Sequence, residues 1–203
     1  MGIWELYKNQ PSFVLGFHGC DKAVAEKVIS HGEKLIPSAK PYDWLGSGVY
    51  FWEGSPHRAM EWAEGMARRA STNPNRVREP AVIGAVIDLG LCCNLFDSDS
   101  LDEVADAWKF FRSSQRRRGQ AIPKNEGQPP DMLRRYRDRA VVEQMHALRR
   151  LMRLADYDTV RGPFPEGRKL YPGAGLTRRA HIQIAVRNVE CIKACFYPIE
   201  LGA

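Results

Sequence analysis

Short apolar runs alternate with amphipathic stretches along the chain. The runs are rich in β-branched and aromatic residues, which favour the pleated, half-buried surface of a strand. The run Ala81–Gly90 is nearly continuous and predicts a central strand. The pattern as a whole predicts strands at Ser12–Phe17, Gly48–Trp52, Ala81–Gly90, Tyr157–Val160, His181–Val186 and Cys191–Phe196.

Four other stretches place apolar residues at helical spacing. Asp21 has the side chain of a helix N-cap, and Gly32 ends the helix that it opens. Between the last two helices, Arg112–Pro130 has no periodicity and many helix breakers, so we predict a mobile loop there. The helices are predicted to begin after Asp21, at Ser55-Pro56, at Ser100 and at Asp131, the last of them running to Leu154.

The order of these elements predicts the fold class. The connections differ in length, and no regular strand-helix-strand alternation appears, so we expect an α+β fold with a mostly antiparallel sheet. A chain of 203 residues with 44% apolar residues is sufficient for one packed domain over positions 1–203. The two helices predicted between about 100 and 155 form a helical insertion in it.

Positive charge is concentrated in this insertion. Arg112–Arg153 contains twelve lysines and arginines against four acids, whereas the net charge of the whole chain is only +6. A basic segment on a nearly neutral body favours an anionic partner, nucleic acid above all, although a solvated helix face that aids solubility has the same composition. The candidate nucleic-acid contacts are Arg116, Arg117, Arg118, Arg134 and Arg135.

Other features of the sequence limit its location and chemistry. No apolar run is long enough to span a membrane, and the N-terminus lacks the pattern of a signal peptide, so we expect a cytoplasmic protein without membrane association. Five cysteines without a CxxC pair fit a reducing compartment. Cys191 and Cys195 match no usual zinc spacing, so we expect no metal. Cys20 beside His18 has poor geometry for a cysteine hydrolase.

Three stretches carry candidate chemistry: "FHG" at the end of the first predicted strand, where His18 precedes the first helix, "GSGVYF" at the second strand, and "HIQIAV" near the C-terminus. Together they resemble the ADP-ribosyltransferase superfamily, in its diphtheria-toxin and poly(ADP-ribose) polymerase-like branch. That branch has a His-Gly pair, then Gly-x-Gly-x-Tyr-Phe, then a residue that is usually Glu on a late strand. The matching positions are His18-Gly19, Gly46–Phe51 and Gln183, a His-Tyr-Gln variant of the His-Tyr-Glu motif.

The resemblance implies a split antiparallel sheet with flanking helices, with NAD as co-substrate and no metal. It implies that His18 hydrogen-bonds the adenosine ribose and that the backbone of Gly19 pairs with the nicotinamide carboxamide. Tyr50 would stack on the nicotinamide ring, because an aromatic face suits a flat heterocycle. Gly46 and Gly48 would let the chain approach the ligand closely. Taken singly, the histidine and the tyrosine also fit ordinary core positions.

Gln183 departs from the family pattern. A glutamine keeps the hydrogen bonding of a glutamate but loses its charge and its capacity as a base. Glu166, in the loop Gly162–Gly175 before the last motif, is a candidate source of the missing carboxylate, or equally an exposed turn residue. Alternatively, a nucleobase or a phosphate acceptor needs less assistance from a base than a hydroxyl does. The catalytic set expected from the resemblance is Gln183, Glu166 and Tyr50.

These residues favour a mono-ADP-ribosyltransferase that uses NAD, of the kind found in bacterial toxins and defence effectors, with nucleic acid or protein as acceptor. A neutralising partner protein belongs to that expectation. Two alternatives remain open. One is a catalytically weak or inactive module that binds NAD, ADP-ribose or nucleic acid, and the other is an NAD glycohydrolase.

Overall fold

The computed structural model describes residues 13–70, 72–73, 76–129 and 131–199. In that part of the chain it has seven strands and four helices, with a short 3-10 turn at Val189–Cys191. The strands are β1 Phe13–Asp21, β2 Val49–Glu53, β3 Pro80–Asp88, β4 Cys92–Asn94, β5 Thr159–Phe164, β6 His181–Val186 and β7 Ile192–Phe196. The helices are α1 Lys22–His31, α2 Pro56–Ala67, α3 Ser98–Arg117 and α4 Tyr136–Leu151.

The strands form one sheet in the order β4-β5-β6-β2-β1-β3-β7. Every pairing is antiparallel except the parallel pair β4 and β5, so the predicted α+β class and mostly antiparallel sheet are confirmed. β1 pairs with β3 along nine residues, but with β2 at only Gly16 with Glu53 and Phe17 with Trp52. The sheet therefore consists of two broad halves joined at a narrow junction.

Because side chains alternate along a strand, β2 contributes to two separate hydrophobic clusters, one on each face of the sheet. Val49 and Phe51 are buried on one face, in the cluster that Ala25 and Val28 of α1 cover. Trp52 is buried on the opposite face, in a cluster with Ala59 of α2. This alternation is the period of two that a strand dictates, and it leaves the sheet covered on both sides.

The helical insertion forms the rest of the second face. α3 and α4 pack against one another and cover Val160 of β5 and Ala185 of β6. Arg149 of α4 bonds Glu103 of α3 at 3.0 Å, which fixes the two helices as a pair. No helix in the described part of the chain has both the length and the apolar character to cross a membrane.

The boundaries of the insertion differ from those predicted. α3 continues through Arg117 into the stretch expected to be a mobile loop, because arginine and glutamine are good helix formers and Arg116 and Arg117 complement the negative end of the helix dipole. α4 begins only at Tyr136, since Glu126 and Arg134 bridge as extended chain before it. Pro130, the end of the predicted loop, is outside the described residues.

Strand boundaries also differ in ways that bear on the site. β1 continues to Asp21, so His18 lies inside a strand rather than at its end, while the predicted first residue Ser12 is outside the described residues. β5 continues into the predicted Gly/Pro-rich loop as far as Phe164, because this stretch pairs with β6, and Gly162 lets Trp44 lie where a Cβ would be. The three residues of β4 were not predicted.

The core of the insertion contains a histidine without a hydrogen-bond partner. His146 is fully buried, and neither of its ring nitrogens makes a hydrogen bond. Asp156 Oδ1 lies 3.8 Å from Nδ1, too far for a hydrogen bond. Burial, assisted by the nearby charge of Arg187, lowers the pKa of His146 from 6.5 to about 4. The folded protein therefore keeps this ring neutral where the unfolded chain protonates it.

The lowered pKa of His146 predicts a loss of stability in mild acid. Between pH 6.5 and about 4 the unfolded chain binds a proton that the folded protein does not, so stability falls as the pH falls. The histidine accounts for about 3 kcal/mol of this loss. Urea unfolding across that range should show a flatter pH dependence in His146→Leu than in wild type, and parallel curves would contradict the assignment.

Candidate functional site

The candidate site lies where β1 and β2 part. Beyond Phe17, β1 still pairs with β3 along one edge, but its other edge makes no further backbone pairs with β2. β2 in turn pairs with β6 from Val49 to Trp52. The backbone of His18 and Gly19 therefore faces an opening between the two halves of the sheet rather than a neighbouring strand.

His18 bridges this opening with its side chain from the face opposite the Tyr50 side chain, where its ring lies 5.7 Å from that of Phe51. Its Nδ1 lies 2.8 Å from the backbone oxygen of Tyr50, and because a carbonyl oxygen only accepts, Nδ1 must carry the proton. Burial lowers the pKa of His18, although the bond to Tyr50 acts in the other direction. The ring is thus neutral near pH 7, and Nε2 is a bare acceptor with no hydrogen-bond partner among the described residues.

Tyr50 is held at its hydroxyl by the turn before β2. The hydroxyl donates to the backbone oxygen of Gly46 at 2.8 Å and accepts from the backbone N–H of Leu45 at 2.9 Å. Burial, with repulsion from Asp43, raises the pKa of Tyr50 well above its ordinary value. The phenol therefore stays neutral, and its ring packs on the face opposite Phe51, against the cluster that contains Leu45.

The turn that holds Tyr50 is anchored by helix α4. Glu143 accepts hydrogen bonds from the backbone N–H of Ser47 at 2.7 Å and from its hydroxyl at 3.0 Å, and Arg187 lies 3.3 Å from the same oxygen. Burial would raise the pKa of Glu143, but the bonds from Ser47 and the charge of Arg187 outweigh it and hold the pKa low. An ionised carboxylate from the insertion thus fixes the loop of the predicted Gly-x-Gly motif.

Gln183 lies on the same face of the sheet as Tyr50. It is opposite Trp52, and Tyr50 is opposite Ala185, so Gln183 and Tyr50 are diagonal neighbours. The indole N–H of Trp44 donates to Gln183 Oε1 at 2.6 Å. Because an indole nitrogen only donates, this bond identifies the amide oxygen and leaves the amide NH₂ of Gln183 as the group available to a ligand.

Aromatic rings surround Gln183. Phe164 lies 5.1 Å from Trp44 and 5.4 Å from His181, measured between ring centroids, and His181 is 6.1 Å from Trp52. Two polar atoms here are buried without a partner, Trp52 Nε1 and His181 Nε2. His181 Nδ1 donates to the backbone oxygen of Arg179 at 2.7 Å, so its Nε2 is an unused acceptor. Unpartnered buried groups of this kind are rare in native proteins, so these two atoms are candidate partners for a ligand.

Glu166 is not a free carboxylate. One of its oxygens lies 2.8 Å from Arg58 of α2 and the other 3.5 Å from Arg179. Arg58 also pairs with Glu61, and the side chains of Arg58 and Glu166 are each only 14% exposed. The structure therefore places Glu166 in an ion-pair network that ties the loop after β5 to α2.

The motif glycines each have a packing reason in the fold. A Cβ on Gly19 would lie 2.2 Å from the backbone oxygen of Ala59, and one on Gly48 would lie 2.8 Å from that of Val186. Gly46 has φ +84°, which favours glycine, and a Cβ there would be 3.0 Å from Glu143 Oε1. These close approaches are to protein neighbours, and the predicted contacts of the three glycines with a ligand stay predictions.

The predicted nucleic-acid arginines fall into two groups. Arg116, Arg117 and Arg118, at the end of α3, are exposed, and their side chains have no hydrogen bond or ion pair among the described residues; the same is true of Arg134. Arg135 is half-buried, donates to the backbone oxygen of Asp131 at 2.6 Å and lies over the ring of Phe164. The first group is available to an anion, whereas Arg135 is committed to the protein.

The structure also bears on the alternative chemistries. Cys20 is buried in the cluster under α1, and burial raises the pKa of its thiol to about 12, the opposite of what a nucleophile requires. Within the described ranges, no three histidine, cysteine or acidic side chains group closely enough to hold a metal ion.

Comparisons with protein-family models, with curated proteins and with solved structures find no match for this chain.

Several residues of the site could not be identified from the sequence. Trp44 lies in a loop expected to be irregular, Trp52 reads as an ordinary strand residue, and Arg58 reads as a solvated helix position. Only the structure shows that Trp44 bonds Gln183 and that Arg58 pairs with a loop residue 108 positions away. The density of aromatic residues around the Gly-x-Gly motif is the sequence signal that could have indicated the aromatic residues of the site.

The anchored turn predicts a difference between two glycine variants. Gly46 and Gly54 both have positive φ, but a Cβ on Gly54 would meet nothing within 4 Å, whereas one on Gly46 would press on Glu143 and Arg187. Both Gly→Ala changes should cost about 1 kcal/mol of backbone strain. Gly46→Ala should cost about 1–3 kcal/mol more by displacing the Glu143 network, and equal losses in chemical unfolding would refute this role of Gly46.

Proposed function

We propose that this protein is an NAD-dependent mono-ADP-ribosyltransferase that modifies nucleic acid, of the kind that acts as a bacterial toxin or defence effector, with an ADP-ribosyltransferase-like fold. The observation that carries the proposal is His18 at the opening between the two halves of the sheet, with Nδ1 bonded to Tyr50 and Nε2 left as an acceptor. A neutral imidazole acceptor suits a ribose hydroxyl. The His-Tyr-Gln motif and the narrow junction of the sheet add support.

The proposed reaction breaks the bond between the nicotinamide nitrogen and the anomeric carbon of its ribose. The electron pair leaves with nicotinamide, and the ribose passes through an oxocarbenium-like state, as in glycoside cleavage. His18 Nε2 would accept from the adenosine ribose, Tyr50 would lie against the nicotinamide, and the NH₂ of Gln183 would donate to the second ribose. A new bond from the acceptor to the anomeric carbon completes the transfer.

The absence of a free carboxylate among these residues favours an acceptor that needs little help from a base. Gln183 is neutral, and Glu166 is held by Arg58 and Arg179. A phosphate group is already deprotonated at pH 7, and a ring nitrogen of a nucleobase attacks through a lone pair. The unpaired arginines Arg116, Arg117 and Arg118 favour the same acceptor, because they would attract a polyanion.

A specific observation supports a second candidate function, a module that binds NAD or ADP-ribose with little or no turnover. The indole of Trp44 already donates a hydrogen bond to the amide oxygen of Gln183. Gln183 therefore offers a ligand its NH₂ donor, where the family pattern has an anionic acceptor. Such a site would still bind a dinucleotide. An NAD glycohydrolase, in which water takes the place of the acceptor, would use the same residues.

The deciding experiment is incubation with NAD labelled on its adenylate part, separately with RNA, DNA and protein pools. Label retained by RNA or DNA is the expected result. Free ADP-ribose without labelled macromolecule would favour the glycohydrolase, and binding without turnover would favour the module. If calorimetry detects no binding of NAD, the proposal fails.

Restoring a carboxylate gives a second test. Gln183→Glu should raise the rate of nicotinamide release on the order of 100-fold, because a well-placed charge stabilises the developing cation. The indole of Trp44 can still donate to the new carboxylate. Gln115→Glu, a distant change of the same chemistry, should leave the rate unchanged. A Gln183→Glu protein that folds, binds NAD and turns over no faster would contradict the assigned position of Gln183.

The tautomer of His18 predicts the pH dependence of NAD binding. Protonation would place a hydrogen on Nε2 and remove the acceptor, so affinity should fall as the pH falls through the lowered pKa of His18 and stay constant above it. Calorimetric titrations at a series of pH values check this, with His18→Ala expected to bind weakly and to lose the pH dependence. An affinity that rises with acid would refute the role of His18.

A further inference from the structure

The connection between β5 and β6 is an ordered hairpin with an anchored base. The backbone N–H of Arg179 donates to Glu166 O at 2.9 Å, and that of Arg178 donates to Arg168 O at 3.0 Å. At its base, Glu166 pairs with Arg58 as described, and the N–H of Gly167 donates to Asp131 Oδ1 at 2.9 Å. This segment, residues 165–180, is hereafter the β5-β6 hairpin.

The tip of the β5-β6 hairpin combines positive charge with exposed apolar and aromatic surface. Tyr171 is 61% exposed. Three cations, Arg168, Lys169 and Arg178, are exposed, and in the described structure their side chains have no hydrogen bond or ion pair. No acidic residue occurs between positions 167 and 180. A groove of about 420 Å³ is lined by these three cations with Leu170, Tyr171 and Pro172.

We propose that the β5-β6 hairpin binds single-stranded nucleic acid, with Tyr171 stacking on a base and Arg168, Lys169 and Arg178 contacting phosphates. The inference rests on the proposed function, because it names the acceptor class of that site. Cationic grooves with an exposed aromatic ring are the usual means of holding a single strand. A duplex hides the faces of its bases, so Tyr171 would have no partner there.

The charge and the ring together favour a nucleic acid over an acidic peptide. Carboxylates would satisfy the three cations, but they offer nothing flat for the exposed ring of Tyr171 to cover. A single strand supplies an anion and a planar base in every nucleotide, which matches a groove that combines three cations with one exposed aromatic ring.

The hairpin is also joined directly to the candidate site. Its last residue precedes β6, on which His181 and Gln183 lie, and its base is held against α2 through Arg58. A single strand of nucleic acid bound along the hairpin would therefore be held near the start of β6, which carries Gln183. The arginines at the end of α3 belong to a separate element, so the two surfaces can be tested independently.

The test measures binding without NAD, by fluorescence anisotropy with a labelled single-stranded oligonucleotide of about 12 nucleotides, within the span of a typical single-strand site. Tyr171→Ala should weaken binding about tenfold, and Tyr171→Phe should bind as wild type does, because stacking needs only the ring. Replacing Arg168, Lys169 and Arg178 with glutamine should lower the slope of log affinity against log salt by about 2, at about 0.7 for each phosphate contact.

A matched variant controls for net charge. Changing Lys22, Lys27 and Lys34, which are exposed on and after α1, to glutamine removes the same charge from another surface and should leave the slope nearly unchanged. Equal binding by wild type and Tyr171→Ala would overturn the proposal, and so would equal affinity for a duplex or equal displacement by polyglutamate. Because NAD is absent, loss of this binding and loss of NAD turnover are separate results.

Discussion

The narrow junction between β1 and β2 is the constraint on which the candidate site depends. Two residue pairs connect the halves of the sheet, and beyond them the backbone of β1 pairs with β3 alone. An unpaired strand edge inside a protein is costly unless another group satisfies it. The bond from His18 to the backbone oxygen of Tyr50 supplies one such partner across the opening. The same bond determines which ring nitrogen of His18 is left for a ligand.

The helical insertion contributes to the geometry of this site as well as to its charge. Glu143 of α4 fixes the turn at Ser47, that turn holds the hydroxyl of Tyr50, and Arg187 completes the network. On the other side of Gln183, the ion pair between Glu166 and Arg58 anchors the β5-β6 hairpin. The helical insertion and the β5-β6 hairpin are therefore tied by partly buried charges to the elements proposed to hold NAD.

The sequence predicted the elements better than it predicted their contacts. Strands such as Val49–Glu53 and His181–Val186 follow from local apolar patterning, and the cap at Asp21 follows from its side chain. The continuation of α3 was missed because surface arginines carry no hydrophobic period, although they favour a helix.

Long-range pairings explain most of what the sequence left open at the site. Trp44 and Gln183 are 139 residues apart, and nothing in the neighbourhood of either indicates their bond. The partner of Glu166 could not be predicted either, because a carboxylate in a glycine- and proline-rich loop has the same local pattern whether it is exposed or paired. The motif His18-Gly19 could be read as a candidate only in combination with Gly46–Phe51.

The role of His18 is tested most directly by ¹⁵N NMR of its ring, with His18→Gln used to assign the signals. The hydrogen bond to Tyr50 predicts the tautomer protonated at Nδ1, and the proposed NAD site predicts an Nε2 that is unprotonated at neutral pH and whose signal shifts when NAD is added. A ring protonated at Nε2, or an Nε2 signal that saturating NAD leaves unchanged, would contradict the claim that His18 presents an acceptor to the dinucleotide.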